Sequence, residues 1–155
     1  MKSTALVLSL ATALITPLAA KDDAPRGYMP LAEFEEVKEK ADGKKLVVLL
    51  VKGANDSCPN CTEAIANGER AIGSGTVKLF ARAESIGSNV PDGLSPALKE
   101  RIARGFTTGA SVTFVVLNPD MTSILAEADR SVLQNDKKAT AEFKKKIQDA
   151  KKELR

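Results

Sequence analysis

Six consecutive apolar residues, Leu46 to Val51 within KKLVVLLVK, constrain this chain more than any other stretch. Charges bound the run on both sides and Gly53 follows, which suits a strand buried on both faces in the middle of a sheet. A polar turn, Gly53 to Ser57, then delivers Cys58-Pro59-Asn60-Cys61, where both cysteines of the chain lie. The following stretch, PNCTEAIANGERAI, reads as a helix with Pro59 at its first position, where a missing N–H breaks no helical hydrogen bond. Cys61, Ile65 and Ile72 fall near one face, and Asn67-Gly68 predicts a kink or an early stop.

The remaining elements follow from periodicity. Leu31, Phe34, Val37 and Ala41 recur at helical spacing after Pro30, and Asp42-Gly43 ends that helix. Residues 76–83, TVKLFARA, alternate Val77, Leu79 and Ala81 against Lys78 and Arg82 and predict a second strand. A turn-rich loop, ESIGSNVPDGLSP, leads to a short helix capped by Ser95 with Pro96 at its start. Val112–Leu117 is a β-branched and aromatic strand, and Asn118-Pro119-Asp120 turns it toward a hairpin partner in TSILAEA. A closing amphipathic helix begins near Lys137, with Ala139, Phe143, Ile147, Ala150 and Leu154 on its inner side. This order of elements predicts one α/β domain around a central mixed sheet of about four strands, flanked by helices.

The first twenty residues, MKSTALVLSLATALITPLAA, carry Lys2, an apolar run from Ala5 to about Ile15, and small residues at Ala19 and Ala20. That layout is a secretory signal peptide, residues 1–20, and the run is shorter than the roughly 20 residues that span a bilayer. The expected product is exported, periplasmic or secreted, with no stable membrane insertion after cleavage. Residues 21–29 read as an irregular leader and 30–155 as the domain. Without Lys2 the charge is 22 basic against 20 acidic residues, too balanced to single out an anionic partner. Eight basic and three acidic residues collect from Lys137 to Arg155, but helical spacing makes them a solvated face. With aromatics at 4%, no nucleic-acid partner is expected.

Cys58 and Cys61 admit three roles: a structural staple, half of a metal site, or a redox pair. A bridge closed over two residues removes little entropy from the unfolded chain, so it staples weakly. Four-coordinate zinc needs two further ligands, and the chain has no histidine and no other cysteine. Copper(I) or zinc held between two molecules stays open. At a helix N-terminus, unpaired backbone N–H groups and the helix dipole favour a thiolate, the form that attacks a disulfide.

The ensemble of ADGKK ending a first helix, the strand LVVLLV, Cys-X-X-Cys at the next helix start, VTFVVLNPD and a closing amphipathic helix resembles the thioredoxin-like family over nearly all of the expected mature chain, residues 21–155. GKKLVVLLVKGANDSCPNCTEA is its most specific part, because a Cys-X-X-Cys between a buried strand and a helix is far more informative than a bare one. The resemblance implies a thiol–disulfide oxidoreductase without cofactor, acting on protein thiols and disulfides and reset by a redox partner protein. Cys58 would be the exposed nucleophile and Cys61 the buried resolving thiol, with Pro59, Asn60 and Lys52 as supporting residues. Ser111, Val112 and Thr113 would form the loop that receives substrate backbone. The sequence departs from the family at three places: Val112 stands where a cis-proline is usual, residues 46–51 lack the usual acid, and Ser57 replaces a common tryptophan. The peptide bond before Val112 is expected to be trans, since a cis bond there costs about 3 kcal/mol. Lys52 could stabilise a thiolate and an inward Asp56 could oppose one. These departures keep a non-catalytic binding or adaptor module in view beside the enzyme.

Overall fold

The computed structural model describes residues 24–55 and 57–155; residues 1–20, expected to be a signal peptide, and Asp56 lie outside the described residues. In chain order the elements are β1 (Met29–Pro30), a 3-10 turn (Leu31–Glu33), α1 (Phe34–Ala41), β2 (Leu46–Lys52), α2 (Pro59–Ile72), β3 (Thr76–Arg82), α3 (Pro96–Ala103), β4 (Val112–Leu117), β5 (Ile124–Asp129), α4 (Arg130–Asn135) and α5 (Lys137–Glu153). The strands form one sheet in the order β1-β3-β2-β4-β5. β1, β3 and β2 run parallel, while β4 is antiparallel to β2 and β5 to β4.

The apolar run became the central strand for the reason expected. β2 pairs with β3 from Leu46↔Thr76 to Lys52↔Arg82 on one side and with β4 from Val47↔Leu117 to Lys52↔Val112 on the other. Its alternate side chains enter two different cores. Val47, Leu49 and Val51 pack with Phe34, Val37, Leu98 and Ile102 under α1 and α3. Leu46, Val48 and Leu50 pack with Cys61, Ala64, Phe114, Phe143 and Ile147 under α2, α4 and α5. Each such side chain contributes about 1.5–3 kcal/mol by leaving water, so a strand apolar at every position needs helices on both sides.

Four differences from the sequence reading have physical causes. The sheet has five strands among the described residues, because Met29 and Pro30 pair with Leu79 and Phe80 before the first helix begins. Two residues carry no readable alternation, so periodicity could not report them. β3 does not keep a polar face at its centre: Leu79, Phe80 and Ala81 are all buried, Phe80 in the second core. α2 neither stops nor kinks at Asn67-Gly68 but runs to Ile72. Gly68 is buried against the Phe114 ring, and a Cβ there would overlap the ring, so glycine serves close approach rather than termination. α4 was not anticipated; its six residues are capped by Asp129, whose side chain accepts the Val132 N–H. The remaining signals hold: Ser95 Oγ caps α3 by accepting from Leu98 N–H at 3.3 Å, and Phe143 and Ile147 are the buried side of α5.

Candidate functional site: a thiol pair at the start of α2

Where β2 ends, the chain leaves the sheet without leaving its hydrogen bonds. The Lys52 carbonyl accepts from Ala83 N–H at 2.9 Å, Gly53 N–H donates to the Ser111 carbonyl at 3.1 Å, and Asn55 N–H to the Gly109 carbonyl at 3.1 Å. Arg82 adds a bond from Nη1 to the Gly53 carbonyl at 3.2 Å. Gly53 is required by closeness: a Cβ there would run into the Gly109 carbonyl oxygen. The segment before the cysteines is therefore laid against the segment before β4.

Cys58 is the N-cap of α2, with extended backbone (φ −67°, ψ 144°) and Pro59 at the first helical position. Its Sγ accepts the Cys61 N–H at 3.1 Å, and its carbonyl accepts Cys61 N–H at 3.0 Å and Thr62 N–H at 3.1 Å. Sulfur thus occupies the place where a capping oxygen would normally take up an orphan helix donor. The two sulfurs lie within disulfide-bonding distance, with their Cα atoms 5.3 Å apart. Their exposures differ sharply. Cys58 is half-buried, whereas Cys61 has 0% exposure and sits in the core with Ala64, Val112 and Phe114. Cys61 Sγ also lies 3.9 Å from the Asn55 carbonyl oxygen.

Pro59 and Asn60 are exposed on the rim of the first turn, beside Cys58. Lys52 is half-buried at the end of β2 and makes interactions of its own. Ser111, Val112 and Thr113 are all buried, Val112 to 1% exposure, and the last two already belong to β4. These three residues line a cleft of about 200 Å³ together with Thr107, Ala110 and the start of α4 at Asp129, Arg130 and Ser131. Ala110 and Cys58 pack against the same buried cluster as Val112 and Cys61, which places that cleft's inner wall on the thiol side of the sheet. All peptide bonds among the described residues are trans, including the one before Val112.

One residue of the site carried no signal in the sequence. Glu84 Oε1 accepts two backbone N–H groups, from Ala54 at 2.7 Å and from Gly109 at 2.9 Å. The Ala54 amide holds its carboxyl below the ordinary range; partial desolvation opposes this, and the Gly109 amide and the Arg82 charge assist. A glutamate in a turn-rich loop reads as solvated surface, and only the fold brings it between two loops distant in sequence.

The chemistry available to this arrangement is set by the sulfurs. A nucleophile from solvent can reach Cys58 but not Cys61. Among the described residues no group of three or more His, Cys, Asp or Glu side chains is arranged to hold a metal ion. No described helix is long and apolar enough to cross a membrane. Comparison of the chain with protein-family models, with curated proteins and with solved structures finds no match in any of the three.

Proposed function

We propose that this chain is an exported, thioredoxin-like thiol–disulfide oxidoreductase that exchanges disulfides with proteins through Cys58 and Cys61. The observation that carries the proposal is the unequal placement of the pair: a half-exposed sulfur capping a helix N-terminus over a fully buried one. The sheet order β1-β3-β2-β4-β5, with helices on both faces and the pair just after the central strand, supports the thioredoxin-like part of the reading.

In the reducing direction the Cys58 thiolate attacks one sulfur of a client disulfide. That S–S bond breaks, the other client sulfur leaves as a thiolate, and a mixed disulfide joins client to Cys58. Cys61, as thiolate, then attacks Cys58 Sγ; the second client thiolate leaves and the Cys58–Cys61 bond forms. Two electrons pass from the pair to the client, and two external thiols, themselves oxidised to a disulfide, restore the pair. In the oxidising direction a client thiolate attacks Cys58 of the bonded pair, expels Cys61, and is itself released when the client's second thiolate closes its disulfide. The Cys61 N–H aimed at Cys58 Sγ lowers the cost of negative charge there in both directions.

The test is turnover of a protein disulfide with glutathione as the external thiol. Wild-type protein turns over, Cys58→Ser does not, and Cys61→Ser accumulates a mixed disulfide through Cys58. If neither substitution alters the reactivity of the preparation, the proposal is wrong. A second reading, a binding module without turnover, is favoured by one observation. The Gly109 and Ser111 carbonyls in the segment before β4 already accept the Asn55 and Gly53 N–H groups, which reduces the acceptor capacity left for a client strand. Protein that binds a thiol-bearing client but neither reduces nor oxidises it would select this reading.

A further inference from the structure

We infer that Glu84 is a positioning residue for thiol–disulfide exchange: its carboxylate fixes the loop carrying Cys58 against the loop entering β4, and so shapes the place a client polypeptide must occupy to present a sulfur to Cys58. The inference rests on the exchange reading above.

A single oxygen adds to the two direct bonds between these loops, Gly53 N–H to the Ser111 carbonyl and Asn55 N–H to the Gly109 carbonyl. Glu84 Oε1 takes the Ala54 N–H at 2.7 Å and the Gly109 N–H at 2.9 Å, and each of those residues lies just ahead of a functional segment. Ala54 precedes Cys58 in the loop after β2, and Gly109 precedes Val112 at the start of β4. Gly109 has a left-handed backbone (φ 72°), which turns its N–H to Glu84 while its carbonyl accepts from Asn55 and Ser111 N–H. The carboxylate itself sits on a firm base. Ala83 N–H is tied to the Lys52 carbonyl, and Ser85 and Ile86 N–H both return to the Arg82 carbonyl in the turn that follows β3. Glu84 is exposed and contributes to neither core, so its loss leaves the packing intact. Both N–H bonds end on an ionised oxygen, so each is stronger than the neutral backbone bonds beside it and stiffens the junction they form.

A small disulfide needs only the Cys58 sulfur to be in place, whereas a polypeptide must also lie along the loop before β4. Glu84→Ala should therefore lower kcat/KM toward a protein disulfide by about tenfold or more, the scale of a sub-ångström to ångström misplacement, while reduction of glutathione disulfide changes by less than about twofold. Glu84→Gln, whose amide oxygen still accepts both N–H groups, should keep roughly half or more of the wild-type value. Hydrogen exchange should show Ala54 and Gly109 deprotected in Glu84→Ala and protected in Glu84→Gln. Equal losses toward both substrates, no loss toward the protein disulfide, or unchanged exchange at both amides would overturn the assignment. Wild-type protein inert toward both disulfides would overturn the exchange reading, and the amide comparison would then decide the clamp by itself.

Discussion

Cys58 and Cys61 share one helical turn and one buried cluster, yet solvent meets only the first. That difference comes from helix geometry: the N-cap lies outside the helix, and the residue three positions on points back under it toward the sheet. The spacing and the proline made the helix start legible in the sequence, because both are local, while the exposed and buried roles were what the thioredoxin-like resemblance implied. Glu84 was not legible, because its partners are backbone groups on other loops and no residue type announces them. Its depressed carboxyl gives a pH prediction. The unfolded carboxyl titrates near 4.5 and the folded one below it, so the clamp is fully made above 4.5 and is lost as pH falls through the folded value. The amide resonances of Ala54 and Gly109 should move together in an NMR titration, with a shared midpoint below 4.5. Independent midpoints, or one at or above 4.5, would contradict a shared carboxylate.

At the scale of elements, α2 is fixed at both ends and in its middle. Its first turn carries the thiols, Gly68 meets Phe114, and Lys151 from α5 donates to the Ile72 and Ser74 carbonyls at 2.7 and 2.6 Å at its far end. Gly68→Ala sets two effects against each other. Alanine gains roughly 0.5–1 kcal/mol of helix propensity, but overlap with a buried ring costs about 1–3 kcal/mol. The overlap should win, lowering the urea midpoint, and adding Phe114→Leu should recover part of the loss with a coupling of about 1 kcal/mol or more. Additive effects would mean that the contact is not felt. Lys151→Met keeps the aliphatic stem and removes both carbonyl caps; a loss of about 1 kcal/mol in urea denaturation is expected. The central strand, the Ser95 cap and the closing helix were readable because their signals lie within or directly beside the element. Gly68 was misread because glycine marks termination and close approach alike, and only the identity of the neighbour separates them.

For the whole molecule, the start of the described chain is held by a clasp. Tyr28, just before β1, donates to Glu69 on α2, Lys78 on β3 pairs with the same carboxylate, and the Lys78 ammonium lies 5.1 Å from the Tyr28 ring centroid. The clasp binds the sheet edge, the thiol helix and the incoming chain into one unit, none of which periodicity could predict. Burial raises the Tyr28 phenol far above its ordinary value, and its bond to Glu69 adds to the shift. Un-ionised phenol in the fold against a value near 10 unfolded means stability that is complete below 10 and declines above it. Tyr28 is the one tyrosine of the chain, so ultraviolet absorbance reads it alone. Its ionisation should coincide with alkaline unfolding followed by circular dichroism; ionisation well before unfolding would contradict the clasp.

Competitive labelling of the fully reduced protein tests the central claim most directly. Limiting iodoacetamide at neutral pH, followed by peptide mass analysis, gives the two alkylation rates in one sample. Cys58 should react at least roughly tenfold faster than Cys61, as expected of a thiolate stabilised at a helix N-terminus above a thiol with no path from solvent. Equal labelling, or faster labelling of Cys61, would contradict it.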